Sequence, residues 1–145
     1  MLKENYTKFV WNSILENWDH TAFTNYESGS YTYGEVGKTI YYLQKLFAKC
    51  GLKKGDKVAL IGKNCAEWAI AYQSVVTYGA VIVPILPNFT PNDVQHIINH
   101  SESIMLFANK ANWDVLDGEN LPKLKSVISL DDFSPLYTRN KHSAD

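Results

Sequence analysis

A glycine and a lysine separate an apolar run from a helical pattern in residues 57–68, which read KVALIGKNCAEW. Backbone amides and a lysine at such a junction can hold the phosphates of a nucleotide. A Walker-type phosphate loop, however, needs its first glycine at position 57 and a hydroxyl at position 64, and the chain has Lys57 and Asn64 there. A dinucleotide fingerprint needs further glycines that this stretch lacks. We therefore predict that Gly62 and Lys63 form a corner of an α/β fold rather than a phosphate site.

Side chains that could bind a metal ion occur at two other places. His96 and His100 lie four residues apart, on one face of a predicted helix, but a zincin motif needs Glu where Ile97 stands. Because no third ligand can be identified, a structural or solvent-facing pair is the favoured interpretation. Asp131 and Asp132 follow a predicted strand and could hold Mg²⁺, yet aspartate is common in turns. We predict a polar turn there and no metal site.

The remaining reactive groups form no catalytic pattern. Cys50 and Cys65 lack metal-binding spacing, and we expect both to be reduced and buried. No G-x-S-x-G motif marks a hydrolase nucleophile. The tryptophans lie in helical segments with apolar neighbours, where packing is the expected role: Trp11, Trp18, Trp68 and Trp113. The residues themselves therefore assign no catalytic, cofactor-binding or metal-binding side chain.

The composition is that of an ordinary globular domain. The 145 residues are 46% hydrophobic and 20% charged, and the net charge is -1. A chain of this length can bury a core of its own, and the near-neutral charge argues against a nucleic-acid-binding surface. Neither a signal peptide nor a run of about eighteen apolar residues is visible, so we expect a cytoplasmic location.

The first part of the chain predicts two helices. One covers residues 6–18, with Thr7 as the expected cap. The other begins with Thr32 and Glu35 in the form of a capping box, and Gly51 suits its C-terminal end. The apolar stripe of this second helix comprises Val36, Ile40, Leu43 and Phe47.

From residue 57 onward, apolar strand-like runs alternate with helical segments. The runs are residues 57–61, 81–85, 104–107 and 126–130. Three helices are predicted between these runs. The first starts with Asn64 and Glu67 and ends at Gly79, and the second starts with Thr90, Pro91 and Asp93. The third is a shorter segment at 112–116. Near-continuous Val, Ile and Leu runs joined by crossover helices are typical of parallel strands covered on both faces. Pro84 predicts that the hydrogen-bond ladder of its run ends there.

These elements predict an α/β fold with an open, mostly parallel sheet and helices on both faces. An N-terminal helix and a short hairpin around residues 28–30 precede the sheet. We expect residues 1–30 to belong to the same domain as a parallel α/β scaffold at 31–133. Residues 134–145 lose all periodicity and are interpreted as a tail or as the point where a longer chain was cut.

The order of these motifs resembles the N-terminal part of the adenylate-forming superfamily, which includes acyl-CoA synthetases, luciferases and peptide-synthetase adenylation domains. The matching motifs are YTYGEV at a helix start, GLKKGDKVAL leading into a strand, NCAEW, and a Gly-Ala pair before VIVPI. The resemblance covers about residues 30–108. Within the superfamily, the NCAEW and PILPNFT segments look closest to long-chain fatty-acid CoA ligases.

The resemblance implies an ATP-dependent acid–CoA ligase that makes an acyl-adenylate and passes the acyl group to CoA. The parent enzyme would use ATP, Mg²⁺ and CoA. The family's phosphate loop, ribose-binding aspartate and catalytic lysine come later in its sequences, and none is found before Asp145. We therefore expect an inactive N-terminal fragment that binds none of these cofactors. No basic residue stands at Thr77 or Tyr78, near where some relatives hold CoA.

The expected partners follow from the same resemblance. They are the remainder of the same enzyme chain and, in the parent, a small carboxylic acid, ATP and CoA. Apolar surface exposed by truncation is expected to cause self-association.

Two alternatives remain open at this point. One is a stand-alone, non-catalytic α/β module that serves as an interaction or binding domain. The other is a small flavodoxin-like or receiver-type domain, which fits the topology. That second alternative needs a phosphate loop or an acidic pair after the first parallel strand, where this chain has Gly-Lys-Asn.

Overall fold

The computed structural model describes residues 2–25, 29–63 and 65–139. Its helices are α1 (Leu2–Glu16), α2 (Tyr33–Lys49), α3 (Ala66–Tyr78), α4 (Pro91–Ser101) and α5 (Lys110–Asp114), with one 3₁₀ turn at Gly118–Asn120. Its strands are β1 (Thr21–Asn25), β2 (Gly29–Thr32), β3 (Lys57–Ile61), β4 (Val81–Ile85), β5 (Met105–Ala108), β6 (Ser126–Ser129) and β7 (Pro135–Thr138). No helix among these residues is both long and apolar enough to cross a membrane.

Four of the five strands in the main sheet are parallel. The strand order is β4-β3-β5-β6-β7, and β7 runs antiparallel to β6. The strands β1 and β2 form a separate antiparallel hairpin. The predicted α/β class with a mostly parallel sheet is therefore confirmed, as are the N-terminal helix and the hairpin. Ser28, at the predicted hairpin turn, lies outside the described residues.

The chain forms two compact units. Unit 1 comprises residues 1–54 and 64–80, and unit 2 comprises residues 55–63 and 81–145. Unit 1 therefore contains α1, the hairpin, α2 and α3. Unit 2 contains the five-stranded sheet with α4 and α5.

In unit 1, α2 begins at the capping box that the sequence predicts. Thr32 Oγ1 accepts a hydrogen bond from the Glu35 amide at 3.1 Å, and Glu35 Oε1 accepts one from the Thr32 amide at 2.9 Å. Both bonds satisfy backbone donors that the start of a helix leaves without partners. Gly51 follows the last turn with φ +82, the left-handed conformation that favours glycine. The predicted apolar stripe is buried: Val36, Ile40, Leu43 and Phe47.

Polar and aromatic contacts hold α3 beside α2 within unit 1. The Gln44 side-chain amide donates to Thr77 Oγ1 at 2.8 Å. Tyr78 sets its ring edge-on to Phe47, with 5.4 Å between centroids, and its hydroxyl donates to the Leu52 carbonyl at 2.7 Å. Each polar group that these contacts bury therefore has a partner, as a stable interior requires.

The two ends of α3 differ in how well local signals predict them. Gly79 ends the helix with φ +99, as predicted. At the start, the first helical residue is Ala66, and the capping position is held by Cys65, whose side chain makes no capping hydrogen bond. Asn64, which the sequence pairs with Glu67 as the helix start, lies outside the described residues.

The core of unit 2 joins the sheet to α4. Its buried members are Ala59, Ile61, Ile85, Val94, Ile98, Leu106, Ala108, Leu121, Leu124 and Val127. As predicted, α4 begins with Pro91 in its first turn, and Thr90 Oγ1 accepts a hydrogen bond from the Asp93 amide at 3.2 Å. The start of α4 is therefore fixed by local chemistry, whereas its orientation is fixed by burial of Val94 and Ile98.

Pro84 does not end its strand, contrary to the prediction. β4 continues to Ile85, which pairs with Ile61 of β3. The Val81 amide donates to the Asp56 carbonyl on the β3 side. Successive backbone nitrogens of a strand point to alternate sides, so the nitrogen of Pro84, three residues later, points away from β3. That side is the edge of the sheet among the described residues. A missing N–H at an edge breaks no ladder bond.

Other bounds also differ from the predictions: α1 ends at Glu16, β5 covers residues 105–108 and β6 ends at Ser129. α1 begins at Leu2, so Thr7 lies inside the helix and does not cap it, because a side-chain cap acts only at the helix start. α5 begins at Lys110, two residues before the predicted segment. The pattern predicts no element after residue 133, whereas residues 135–138 form β7 on the edge of the sheet beside β6.

Gly34 leaves no room for a side chain beside Trp18. A methyl group on Gly34 would lie 2.6 Å from Trp18 Cε2, closer than real contacts allow. We expect Gly34→Ala to lower the free energy of unfolding by about 1–3 kcal/mol, because the indole or the backbone must shift. Urea denaturation measures the change.

Gly118→Ala is the matched control, since the nearest atom there is 3.8 Å away. The effect of Gly34→Ala should also shrink in a Trp18→Ala background, where the clash is absent. An equal loss in both backgrounds would show that the indole is not its cause.

Candidate functional site at the carboxyl edge of the sheet

Three parallel strands of unit 2 end beside one another, and polar residues follow each of them. Lys63 follows β3, Asn109 follows β5, and Ser129 and Asp131 lie at the end of β6. The chain leaves β3 for β4 on one side and later returns to β5 on the other side. Ligands of open α/β sheets bind at such a reversal, outside the carboxyl ends of the strands. We call these four residues the carboxyl edge.

Asp131 connects the ends of β5 and β6. One carboxylate oxygen accepts a hydrogen bond from Asn109 Nδ2 at 2.8 Å, and the other accepts one from the Lys110 amide at 3.0 Å. The Ser129 hydroxyl is 3.3 Å from this second oxygen and accepts the Asp131 amide at 2.9 Å. The bond from Asn109, then that from the Lys110 amide, lowers the pKa of Asp131, because both favour the ionised carboxylate.

The lowered pKa sets a sign for the pH dependence of stability. Asp131 stabilises the folded chain above its ordinary pKa of about 4, and that contribution is lost as the pH falls through the lower pKa of the folded state. We expect Asp131→Asn to lower the free energy of unfolding at pH 7 by about 1 kcal/mol, since solvent weakens hydrogen bonds of an exposed carboxylate. Urea denaturation at pH 7 and pH 3 should show the difference shrinking at pH 3.

Asp114→Asn is the control for this prediction. Asp114 forms an exposed ion pair with Lys110 at 2.9 Å, a type of contact that contributes little. A difference between wild type and Asp131→Asn that is the same at both pH values would contradict the assigned role of the ionised carboxylate.

The other acidic residue of the pair is also bonded locally. Asp132 accepts hydrogen bonds from the amide and hydroxyl of Ser134, and those bonds lower the pKa of Asp132. Asp131 and Asp132 therefore form the polar turn that the sequence predicts. The part of the chain that the structure describes contains no group of three or more side chains placed to bind a metal ion.

The histidine pair lies on the exposed surface of α4. The rings of His96 and His100 are stacked, with 5.8 Å between centroids and 13° between planes. This matches the interpretation of a solvent-facing pair. Gly62 and Lys63 follow β3 directly; Gly62 is buried and Lys63 is exposed.

Both cysteines are free and half-buried, whereas the sequence predicts them fully buried. Burial raises the pKa of the Cys65 thiol, which disfavours the reactive thiolate. Burial, followed by a hydrogen bond with the Glu67 carboxylate, raises the pKa of Tyr31. These groups are therefore poor candidates for nucleophile or base at neutral pH.

The tryptophans pack against other side chains, as predicted. Trp11 and Trp18 lie over glycines of α2, Trp68 stacks on Tyr72 with 5.5 Å between centroids, and Trp113 packs against Tyr137 at 5.4 Å. Thr77 Oγ1 accepts a hydrogen bond from the Gln44 side-chain amide at 2.8 Å and donates one to the Gln73 carbonyl at 2.6 Å. The Thr77 side chain is therefore engaged in contacts within unit 1.

An apolar groove of about 350 Å³ lies in unit 1. Residues of α1 and α2 form most of its wall, including Phe9, Val36 and Ile40. The Tyr6 hydroxyl donates to Gln73 Oε1 at 2.8 Å at its margin. None of its lining residues is charged, so the groove offers neither a carboxylate nor a cationic group for phosphoryl chemistry.

The model of the AMP-binding enzyme family matches residues 11–145. The chain belongs to this family. A crotonobetaine/carnitine–CoA ligase of Proteus mirabilis is 30% identical over 142 residues, which are 92% of this chain and 23% of that protein. Long chain acyl-CoA synthetase 5 of Arabidopsis thaliana is 31% identical over 90 residues, which are 60% of this chain and 14% of that protein.

A solved member of the family's fold agrees with the topology. Coronafacic acid ligase of Pectobacterium brasiliense superposes with a TM-score of 0.79 at 20% identity, over 87% of this chain and 25% of that one. At this identity the similarity establishes the fold. The chain spans about a quarter or less of the length of these relatives.

Sequence reasoning missed Asn109 and Ser129. Each lies at the end of a buried run, and each is polar, which is the signal that could have found them. Their contact with Asp131 depends on the pairing of Phe107 with Ile128 and of Ala108 with Ser129, which brings the two strand ends together.

Proposed function

We propose that this chain is part of an ATP-dependent acid–CoA ligase, which converts a carboxylate and ATP into an acyl-adenylate and then transfers the acyl group to CoA. The observation that carries the proposal is the family match over residues 11–145. The relatives of known activity that support it are CoA ligases. The whole enzyme would use ATP, Mg²⁺ and CoA.

Within that enzyme, the described residues serve as scaffold. Phosphoryl-side chemistry needs cationic groups and metal ligands fixed around a triphosphate. The described residues contain no group of three or more side chains placed to bind a metal ion, and the Asp131 carboxylate is bonded to Asn109 and to the Lys110 amide. The groups that bind ATP and Mg²⁺ are therefore expected from other parts of a longer chain, and the 145 residues alone are expected to be inactive.

The acid that we propose is a long-chain fatty acid. The similarity to the Arabidopsis synthetase supports this choice, while the Proteus ligase supplies the competing substrate class. Adenylate formation by the longer protein should be compared for palmitate, carnitine and crotonobetaine under identical conditions. A value of kcat/KM at least about tenfold higher for palmitate supports the proposal, and a preference for either carnitine-type acid would overturn it.

A further inference from the structure

The outer face of α2 carries an unusual concentration of positive charge. Residues 36–55 contain five lysines and no aspartate or glutamate, although the whole chain has a net charge of -1. Three of these lysines lie on α2 itself: Lys38, Lys45 and Lys49. All three are exposed. Within the described residues none of the three forms an ion pair.

Two exposed tyrosines lie among these lysines. Tyr41 is 58% exposed and Tyr42 is 50% exposed. The Lys45 ammonium lies 4.8 Å from the centre of the Tyr41 ring, a cation–π contact that holds the two side chains together. We call Lys38, Tyr41, Tyr42, Lys45 and Lys49 the basic-aromatic face.

The spacing of these residues places them on one side of the helix. Positions i, i+3, i+4, i+7 and i+11 form a single stripe, about 16 Å long at the rise of an α-helix. The opposite side of α2 is occupied by the buried stripe that includes Ile40, Leu43 and Phe47. The helix is therefore already docked in unit 1, and the basic-aromatic face can meet a partner without any unfolding.

We propose that the basic-aromatic face binds the surface of an anionic lipid bilayer. Lysines attract acidic headgroups, and tyrosine rings favour the headgroup level because they are apolar with a polar tip. The face is the convex side of one helix, which suits a plane. A nucleic acid is a less suitable partner for this face, because a chain with a pI near 6.4 lacks the extended basic surface that nucleic-acid-binding domains have. The inference does not rest on the proposed reaction.

The test is co-sedimentation of the 145-residue chain with vesicles of phosphatidylcholine alone or with 30% phosphatidylserine. We expect binding to the anionic vesicles that weakens as sodium chloride rises, because surface charges are screened. Each lysine should contribute about a fivefold change in partitioning, so K38Q/K45Q should weaken binding by about 25-fold and K38E/K45E by more.

K57Q/K125Q is the matched control, since both lysines are exposed and lie in unit 2. It removes the same charge and should bind like the wild type. Y41A/Y42A should also weaken binding, because it removes the interfacial rings. Circular dichroism melts should show that all four variants remain folded.

Several results would overturn the proposal. They are equal partitioning onto neutral vesicles, equal losses for K38Q/K45Q and K57Q/K125Q, and no binding at low salt. Tighter binding to single-stranded DNA than to the anionic vesicles would assign the face to another polyanion and would also overturn it.

Discussion

Phe47→Ala is expected to lower the free energy of unfolding by about 3–5 kcal/mol. Phe47 is fully buried at the end of the apolar stripe of α2 and contacts Tyr78 of α3 edge-on, with 5.4 Å between centroids. Truncation removes the aromatic contact and leaves a cavity that the two helices cannot close without breaking other contacts. Equilibrium urea denaturation, followed by circular dichroism, measures the loss.

Phe9→Ala is the matched control for this substitution. Phe9 lies on α1 and is 68% exposed, so the same chemical change should alter stability by no more than about 0.5 kcal/mol. Equal losses for the two variants would contradict the assignment of Phe47 to the core of unit 1.

Leu106→Ala is expected to lower the free energy of unfolding by about 2–5 kcal/mol. Leu106 lies in the middle of β5, is fully buried, and pairs with Ala59 on one side and Val127 on the other. As with Phe47→Ala, the truncation leaves a cavity. The backbone of β5 is held by hydrogen bonds on both sides and cannot move in to fill it. The measurement is again denaturation in urea.

The control for Leu106 is Leu86→Ala. Leu86 follows β4 and is 59% exposed, so its truncation should change stability by no more than about 0.5 kcal/mol. If Leu106→Ala were as mild as Leu86→Ala, the central position of β5 in the sheet would be wrong.

The starts and ends of the helices were predictable where a local signal decides them. The hydroxyl of Thr32, the carboxylate of Glu35 and the positive φ of Gly79 act within a few residues of sequence. The strands β3 and β4 were predictable residue for residue because each is a short apolar run. Composition and period are sufficient for such elements.

Other features depend on neighbours that are distant in sequence. Pro84 is tolerated because β4 lies at an edge of the sheet, and the sequence alone does not show which strand is the edge. β7 forms because residues 135–138 pair with β6, not because they carry a strong strand pattern of their own. Sheet topology therefore decides whether Pro84 breaks a ladder bond and whether residues 135–138 form a strand.

The candidate site was the least predictable part. Asn109 and Asp131 are 22 positions apart, and only the parallel pairing of β5 with β6 brings them within 2.8 Å. The resemblance predicted the fold and the family, but no residue pattern indicated how this carboxylate would be used. Its hydrogen bonds show that it joins two strand ends.

We propose that these residues form the scaffold of an acid–CoA ligase and do not supply its chemistry. Acid-dependent ATP–pyrophosphate exchange, with palmitate and Mg²⁺ present, should be measured for the purified 145-residue chain and for the longer protein of which we propose that it is a part. We predict exchange above background for the longer protein alone. Robust exchange by the 145-residue chain, or none by the longer protein with any carboxylic acid tested, would contradict the account.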